Sequence, residues 1–193
     1  MRRSPQRAAA VASAALLATV GTAAAANLIK NPKFASGLRH WRTGVVSSGS
    51  FPGYPHIAVA TATHCTPAKP HLEIDVPGGA DGWAEQQLKV PRSPGRLKFL
   101  TWGNLDPVHA TVSIVTTNGV MHTLLSYTPP TLQASPTTCT HKKPVRESLS
   151  LKAFAGQKVE LRLEASSTGI DGTIVDFDNF SLSGRSRHSH HHH

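Results

Sequence analysis

Residues 108–127 read VHATVSIVTTNGVMHTLLSY, and this stretch decides the fold class. Apolar and polar side chains alternate over residues 108–117, which is the period of a β-strand with one buried face. Asn118 and Gly119 follow, and this pair favours a type I′ turn because both central residues of that turn need a positive φ. Residues 120–127 then return, so the stretch predicts a β-hairpin.

The same two-residue period recurs along the chain. After Asn27, apolar residues at helical spacing are almost absent, and short alternating segments predominate. The predicted strands outside the first hairpin lie at residues 83–90, 97–102, 145–151, 159–165 and 173–182. The first two are joined at residues 91–95 by a turn that proline and glycine enforce. About eight strands with one polar face each predict an all-β fold, a two-sheet antiparallel β-sandwich.

The amino terminus has the pattern of a secretory signal. Three arginines (Arg2, Arg3 and Arg7) precede an uncharged apolar run at residues 8–20, and small residues follow at 22–26. A membrane anchor would need about 20 strongly apolar residues, whereas this run is short and rich in alanine. We therefore predict a secreted protein without a transmembrane segment. The predicted parts are a signal peptide at 1–26, one β-sandwich domain at 27–183 and a disordered His-rich tail at 184–193.

The charge balance is basic. The chain has 20 Lys and Arg against 11 Asp and Glu, and its formal net charge is +9. A basic secreted protein can bind anionic polymers, including nucleic acid. The basic residues are scattered, however, and their densest group (Lys142, Lys143 and Arg146) lies in a predicted loop without a recognition helix or an aromatic-basic motif. We predict no nucleic-acid partner, and we expect a monomer.

Two cysteines, Cys65 and Cys139, lie in segments rich in threonine and proline. Two cysteines in an oxidising compartment most often pair. Such a cross-link could stabilise the fold by roughly 4 kcal/mol in the chain-entropy description. His64 and His141 flank the two positions, so a metal site with two histidines and two cysteines is the alternative. We predict the disulfide.

Both ends of the predicted domain resemble one family. Residues 27–41, NLIKNPKFASGLRHW, resemble the opening of galactose-binding-like jelly rolls, which include carbohydrate-binding modules of the family 4/9 type in secreted bacterial proteins. Residues 148–159 are similar to that family's strand followed by Ala-Gly-x-x-Val. Residues 173–182, TIVDFDNFSL, look like its terminal strand. The resemblance implies a jelly-roll sandwich and a carbohydrate-binding function.

The same resemblance bears on calcium. Members of the family commonly hold a structural calcium ion between an opening glutamate and the terminal aspartate, and Asp178 matches that aspartate. Ala35 stands where the glutamate is usual, and Lys33 replaces a small or acidic residue. Calcium takes six to eight oxygen ligands, carboxylates prominent among them. We therefore predict no cofactor and keep a calcium ion at Asp178 as the alternative, with Lys33 able to supply the positive charge instead.

A catalytic site is not expected. The sequence has no nucleophile elbow, zinc-protease motif or phosphate-binding loop. Asp171, Asp176 and Asp178 cluster in sequence, and the last two share one face of a predicted strand. A glycosidase needs two carboxyl groups across a cleft, and this spacing arises easily by chance. We predict that the protein is not an enzyme.

A glycan platform is predicted from two neighbouring strands. Alternation directs Leu88, Leu97 and Phe99 toward the core. The other side chains would then share the outer, concave face, with one aromatic residue added from a loop. These candidate ligand-binding residues are Trp83, Glu85, Gln87, Lys98, Trp102 and Tyr54. Aromatic faces beside polar groups suit sugar rings. The alternative is that one or both tryptophans pack under a loop.

The tail and the function leave alternatives open. His190 and His191, in a tail that is either natural or part of a purification tag, would bind Zn, Ni or Cu weakly through neutral imidazole. For the domain we predict a non-catalytic, carbohydrate-binding-like module that contacts cell-wall or other polysaccharide and is extracellular or cell-wall associated. The alternative is a secreted structural or protein-interaction sandwich without a sugar site, which the missing glutamate at position 35 and the single-domain layout favour.

Overall fold

Ten strands and one short 3₁₀ helix (Lys152–Phe154) form the part of the chain that the computed structural model describes, residues 26–47, 55–61, 69–103, 109–127, 144–167 and 173–184. The strands are β1 (Arg42–Ser47), β2 (His56–Ala60), β3 (His71–Val76), β4 (Ala80–Lys89), β5 (Arg96–Gly103), β6 (His109–Thr116), β7 (Met121–Tyr127), β8 (Val145–Ser150), β9 (Lys158–Ser166) and β10 (Thr173–Ser181).

The strands form two antiparallel sheets. Sheet A has the order β1-β4-β9-β6-β7, and sheet B has the order β2-β3-β10-β5-β8. Strands β4 and β9 of sheet A and β5 of sheet B alternate buried and partly exposed residues, so each sheet has one face against the other sheet and one outer face. The predicted fold class, an all-β two-sheet antiparallel sandwich, is confirmed.

The predicted hairpin is present as the β6–β7 pair, with a turn of a different type. Gly119 has a φ of +82°, but Asn118 does not have a positive φ, so the turn is not type I′. The Gly119 N–H donates to the Thr116 carbonyl at 2.9 Å. This is the geometry of a longer hairpin loop in which only the glycine is left-handed.

Aromatic rings fill the core where the opening segment meets the last strand. Phe180 lies at the centre, with ring centroids 5.2 Å from Phe99, 5.6 Å from Trp41 and 6.2 Å from Phe34. All four rings are buried. Burying an aromatic side chain removes about 150–250 Å² from water, so this cluster is a large part of the core.

Hydrogen bonds fix the opening segment to the end of β10. The Leu28 N–H donates to the Leu182 carbonyl at 2.8 Å, and the Asn27 amide bonds to the Phe180 carbonyl and the Leu182 N–H. Gln86 of β4, itself buried, holds the same segment from sheet A through the N–H and carbonyl of Lys30. The segment is therefore bonded to both sheets.

Strands β4 and β5, which the sequence suggested as neighbours, lie in different sheets, and the expected turn at residues 91–95 is a crossover. Pro91 and Pro94 have no N–H to continue a ladder. The flanking donors bond elsewhere, because the Val90 N–H donates to the Gln157 carbonyl and the Gly95 N–H to the Ser183 carbonyl. The two strands therefore have outer faces on opposite sides of the sandwich.

Several predictions fall outside the described residues. They concern residues 1–25 of the signal peptide, Tyr54, the Cys65–Cys139 disulfide with its flanking histidines, Asp171, and the tail from residue 185, including His190 and His191. Among the helices that are described, none is long and apolar enough to cross a membrane.

Candidate functional site

The predicted glycan platform is divided between two faces. Trp83, Glu85 and Gln87 lie on the outer face of sheet A, whereas Lys98 and Trp102 lie on the outer face of sheet B. Within each strand the predicted side chains do point outward, but the two strands do not share one face, contrary to the prediction. The physical reason is the crossover between β4 and β5, which no local pattern specifies.

The Trp83 ring is engaged in packing within sheet A. The guanidinium of Arg162 lies 4.4 Å from its ring centroid, which is a cation–π contact. The backbone of β1 crosses the ring at Gly44, where an added Cβ would lie 2.1 Å from Trp83 Cζ2. Arg162 and the backbone at Gly44 therefore already contact the Trp83 ring, which leaves less of it for a sugar.

Glu85 and Gln87 line a polar depression of about 380 Å³ on sheet A. The Nη2 atom of Arg42 lies 2.8 Å from Glu85 Oε1 and 2.5 Å from Glu160 Oε1. The described lining of this depression contains no Trp, Tyr or Phe. Because both of its carboxylates pair with Arg42 and no Trp, Tyr or Phe is available for stacking, this depression is the weaker candidate for a sugar.

Trp102 lines a pocket of about 240 Å³ on the outer face of sheet B, which we call the sheet B pocket. Strand β5 contributes Trp102 and Leu100, β10 contributes Asp178, the opening segment contributes Lys33, and Lys69 precedes β3. The pocket thus combines an apolar surface with charged groups of both signs. Lys98 lies on the same face of β5 but does not line the pocket.

Two polar atoms at the pocket are buried without a hydrogen-bond partner, Trp102 Nε1 and Asp178 Oδ1. Buried polar atoms in folded proteins are nearly always bonded, so each such atom is a candidate for bonding to a ligand. The indole N–H can only donate, and an ionised carboxylate oxygen can only accept. Together they match a group that both accepts and donates, as a hydroxyl does.

The electrostatics at Asp178 have opposing causes. Burial raises the pKa of this carboxyl, whereas the Asn179 N–H and the charges of His71, Lys33 and Lys69 act to lower it, and the net shift is upward. The carboxyl therefore lies close to two lysines that also line the pocket.

An irregularity in β10 positions Asp178 and Asn179. The register against β5 shifts between Asp178 and Ser181, and Asn179 has a φ of +56°. Asparagine tolerates this left-handed conformation better than most residues. A bulge turns side chains away from regular alternation, so both residues 178 and 179 line the pocket while Phe180 points into the core.

The calcium alternative at Asp178 does not fit these residues. Ala35 offers no side-chain oxygen, and the charges that act on the Asp178 carboxyl are those of His71, Lys33 and Lys69. Calcium needs a shell of six to eight oxygens. The donor set here lacks that chemistry.

His71 of β3 also lines the sheet B pocket, and two carboxylates, Glu73 and Asp176, lie next to it on β3 and β10. The His71 ring lies 5.2 Å from the Trp102 ring, and its Nε2 is 3.4 Å from Asp176 Oδ1. Burial acts to lower the pKa of His71, but its contacts with Asp176 and the Lys69 carbonyl outweigh it and raise the pKa. Burial raises the pKa of Asp176, opposed by His71. Glu73, partly buried, also has a raised pKa because of burial.

Sequence reasoning did not select His71, Glu73, Lys69 or Asn179 as site residues. The signal for the first two was present, because residues 71–76 read HLEIDV and alternate polar with apolar side chains. That alternation predicts a strand with one outer polar face. No local signal in the sequence identifies Lys69 or Asn179.

Comparison with known proteins rests on structure. No protein-family profile matches the chain, and no curated protein matches it in sequence. The carbohydrate-binding module TmCBM61, solved in complex with β-1,4-galactotriose, superposes with a TM-score of 0.57 at 15% identity, covering 83% of this chain and 99% of the module. This chain has the β-sandwich fold of carbohydrate-binding modules.

Two further structures share the fold. A structure of carbohydrate-binding modules from the β-sandwich superfamily, described for promiscuous specificity, matches with a TM-score of 0.54 at 10% identity, over 78% of this chain and 60% of the other. The enzymatically active domain of bacteriophage CBA120 tailspike protein 4 matches at 0.51 and 11% identity, over 82% of this chain. This chain spans only 21% of the tailspike structure, so the tailspike's activity is not transferred to it.

Proposed function

We propose that this protein is a secreted, non-catalytic carbohydrate-binding module that holds a polysaccharide at the sheet B pocket. The observation that carries the proposal is that two residues lining the pocket, Trp102 and Asp178, each have a buried polar atom without a partner, Nε1 and Oδ1 respectively. The shared fold with TmCBM61, whose bound ligand is β-1,4-galactotriose, supports it. The signal-like amino terminus supports export to the compartment where such polymers occur.

The chemistry of the pocket suits a sugar ring. Sugars present apolar C–H surfaces together with hydroxyls, and Trp102 and Leu100 offer the matching apolar surface. Asp178 and Asn179 can bond to hydroxyls, and the Lys33 ammonium can donate to them as well. The volume of about 240 Å³ is smaller than the roughly 300–1,000 Å³ of a drug-sized ligand site, which favours contact with one sugar ring at a time.

The roles of Asp176 and Asp178 support binding without cleavage. A glycosidase places two carboxyl groups on opposite sides of the bond it cleaves. Asp178 lines the pocket, whereas Asp176 is only 2% exposed and pairs with His71 beneath it. The pair therefore offers one partly exposed carboxylate on one wall, which can orient a hydroxyl but cannot flank a glycosidic bond.

Affinity electrophoresis in gels containing soluble polysaccharides tests the proposal, with β-1,4-galactan first and a panel of plant and cell-wall glycans after it. Retardation of the wild-type chain is expected, and Trp102→Ala should weaken binding roughly tenfold. Ring stacking contributes about 0.5–1.5 kcal/mol, and the indole hydrogen bond contributes a similar amount. The thermal midpoint of the variant should stay close to that of the wild type, because the Trp102 side chain is partly exposed.

Trp83→Ala is the matched control, since it removes the same side chain from the opposite sheet. This variant should be retarded like the wild type. Equal binding by Trp102→Ala, or loss of binding in Trp83→Ala alone, would place any glycan elsewhere. If no glycan retards the wild-type chain, the sugar-binding proposal fails and the structural or protein-interaction function replaces it.

A further inference from the structure

Three potential metal ligands converge where β3 pairs with β10. Glu73 lies directly opposite Asp176 in the register, and His71 precedes it on the same face of β3. One donor atom from each of the three side chains lies within 4.8 Å of the other two. The group lies on the outer side of sheet B, next to Trp102.

The His71 ring is oriented by the backbone. Its Nδ1 lies 2.9 Å from the Lys69 carbonyl oxygen, and since a carbonyl only accepts, Nδ1 must carry the hydrogen. In the neutral ring, Nε2 then carries an unshared electron pair and can only accept. Metal-bound histidines commonly have this arrangement, in which the distal N–H donates to a backbone carbonyl and fixes the tautomer.

His71 Nε2 faces a carboxylate oxygen, and in the neutral ring both atoms would be acceptors. His71 Nε2 is 3.4 Å from Asp176 Oδ1, and neither atom has a hydrogen-bond partner. Both residues are 2% exposed, so water does not screen the contact. Two buried acceptors at this distance need a cation that serves both, which is either a proton on the ring or a metal ion.

The His71–Asp176 distance agrees with coordination of both groups to one metal ion. Ligand atoms about 2.0–2.2 Å from a zinc ion in a tetrahedron lie roughly 3.3–3.6 Å apart, and the His71–Asp176 contact is 3.4 Å. Imidazole nitrogen together with carboxylate oxygen suits Zn²⁺. The two carboxylates of Glu73 and Asp176 would neutralise the charge of a divalent ion.

We propose that His71, Glu73 and Asp176 bind a divalent transition-metal ion, with Zn²⁺ as the best match. Its ligands differ from those of the calcium alternative at Asp178 and from the His-rich tail. His71 also lines the sheet B pocket, but the zinc titration needs no sugar. A metal ion there would join β3 to β10 and raise the stability of sheet B.

Titration of the full chain with Zn²⁺ in competition with a chromophoric chelator tests the site. The tail would bind zinc as well, and the alternative site at Cys65 and Cys139 would do so through His64 and His141. All variants therefore carry a background of His64→Ser, His141→Ser, His188→Ser, His190→Ser, His191→Ser, His192→Ser and His193→Ser. The background chain should bind one zinc ion, and zinc should raise its thermal midpoint. Glu73→Gln and Asp176→Asn should each weaken zinc binding roughly tenfold or more and reduce the shift in midpoint.

Asp75→Asn is the matched control, because Asp75 lies two residues after Glu73 on the same face of β3 and is not one of the three ligands. Zinc binding should survive in this variant. Glu73 is partly buried, so Glu73→Gln should fold even if changes at the two buried ligands do not. Zinc affinity equal in the background chain and in Glu73→Gln, or no binding in either, would overturn the proposal and leave a His71–Asp176 ion pair only.

Discussion

Phe180→Ala is expected to lower the free energy of unfolding by about 3–5 kcal/mol, the usual cost of removing a buried phenylalanine. Phe180 is 2% exposed and contacts four aromatic rings, those of Phe34, Trp41, Phe99 and Phe177. These rings come from the opening segment, β5 and β10. The cavity left by Phe180→Ala can therefore be filled only if one of these elements shifts against the others.

Urea denaturation followed by circular dichroism measures this loss. Val120→Ala is the control, because Val120 is 46% exposed on the β6–β7 turn and should change stability by less than about 0.5 kcal/mol. A loss below about 1 kcal/mol in Phe180→Ala would mean that the aromatic cluster is not the centre of the core.

His71→Leu is expected to destabilise the fold by about 3–5 kcal/mol at neutral pH, because it leaves the Asp176 carboxylate buried without a cation. His71 and Asp176 are each 2% exposed, and their atoms approach to 3.4 Å. The double variant His71→Leu/Asp176→Leu should regain most of the loss, since replacing both members of a buried pair by apolar residues is often nearly neutral.

The measurement is a double-mutant cycle from urea denaturation in the presence of a chelator, so that bound metal does not contribute. A double variant whose loss equals the sum of the two single losses would show that the two side chains do not interact. Asp75→Leu supplies the comparison with a partly buried acid on the same face of β3.

Local periodicity was sufficient to predict the sandwich. The alternation over residues 108–127 and the glycine at 119 gave the hairpin of β6 and β7, and alternation over residues 97–102 placed Trp102 outward. These features depend on neighbours in sequence, because side chains of a strand alternate whatever its partners are. The turn type differed because only Gly119 adopts a positive φ.

Pairing between distant strands could not be predicted in this way. The sequence contains nothing local that assigns β4 to sheet A and β5 to sheet B, so Trp83 and Trp102 were grouped on one face although they lie on opposite sides. The bulge that brings Asp178 and Asn179 to the pocket depends on the register between β10 and β5. His71 approaches Trp102 and Asp176 only because β3, β10 and β5 are adjacent.

The side-chain N–H signals of the three tryptophans in a ¹H–¹⁵N correlation spectrum test the sugar site most directly. The signals are assigned with Trp83→Phe and Trp102→Phe, and the chain is titrated with β-1,4-galactotriose and with oligosaccharides of every polysaccharide that retards it in gels. The Trp102 signal should shift and saturate, because its Nε1–H is buried without a partner at the pocket, whereas those of Trp41 and Trp83 should stay in place. A saturating shift of Trp83 with Trp102 unchanged, or no shift of Trp102 at millimolar sugar, would contradict a glycan site on sheet B.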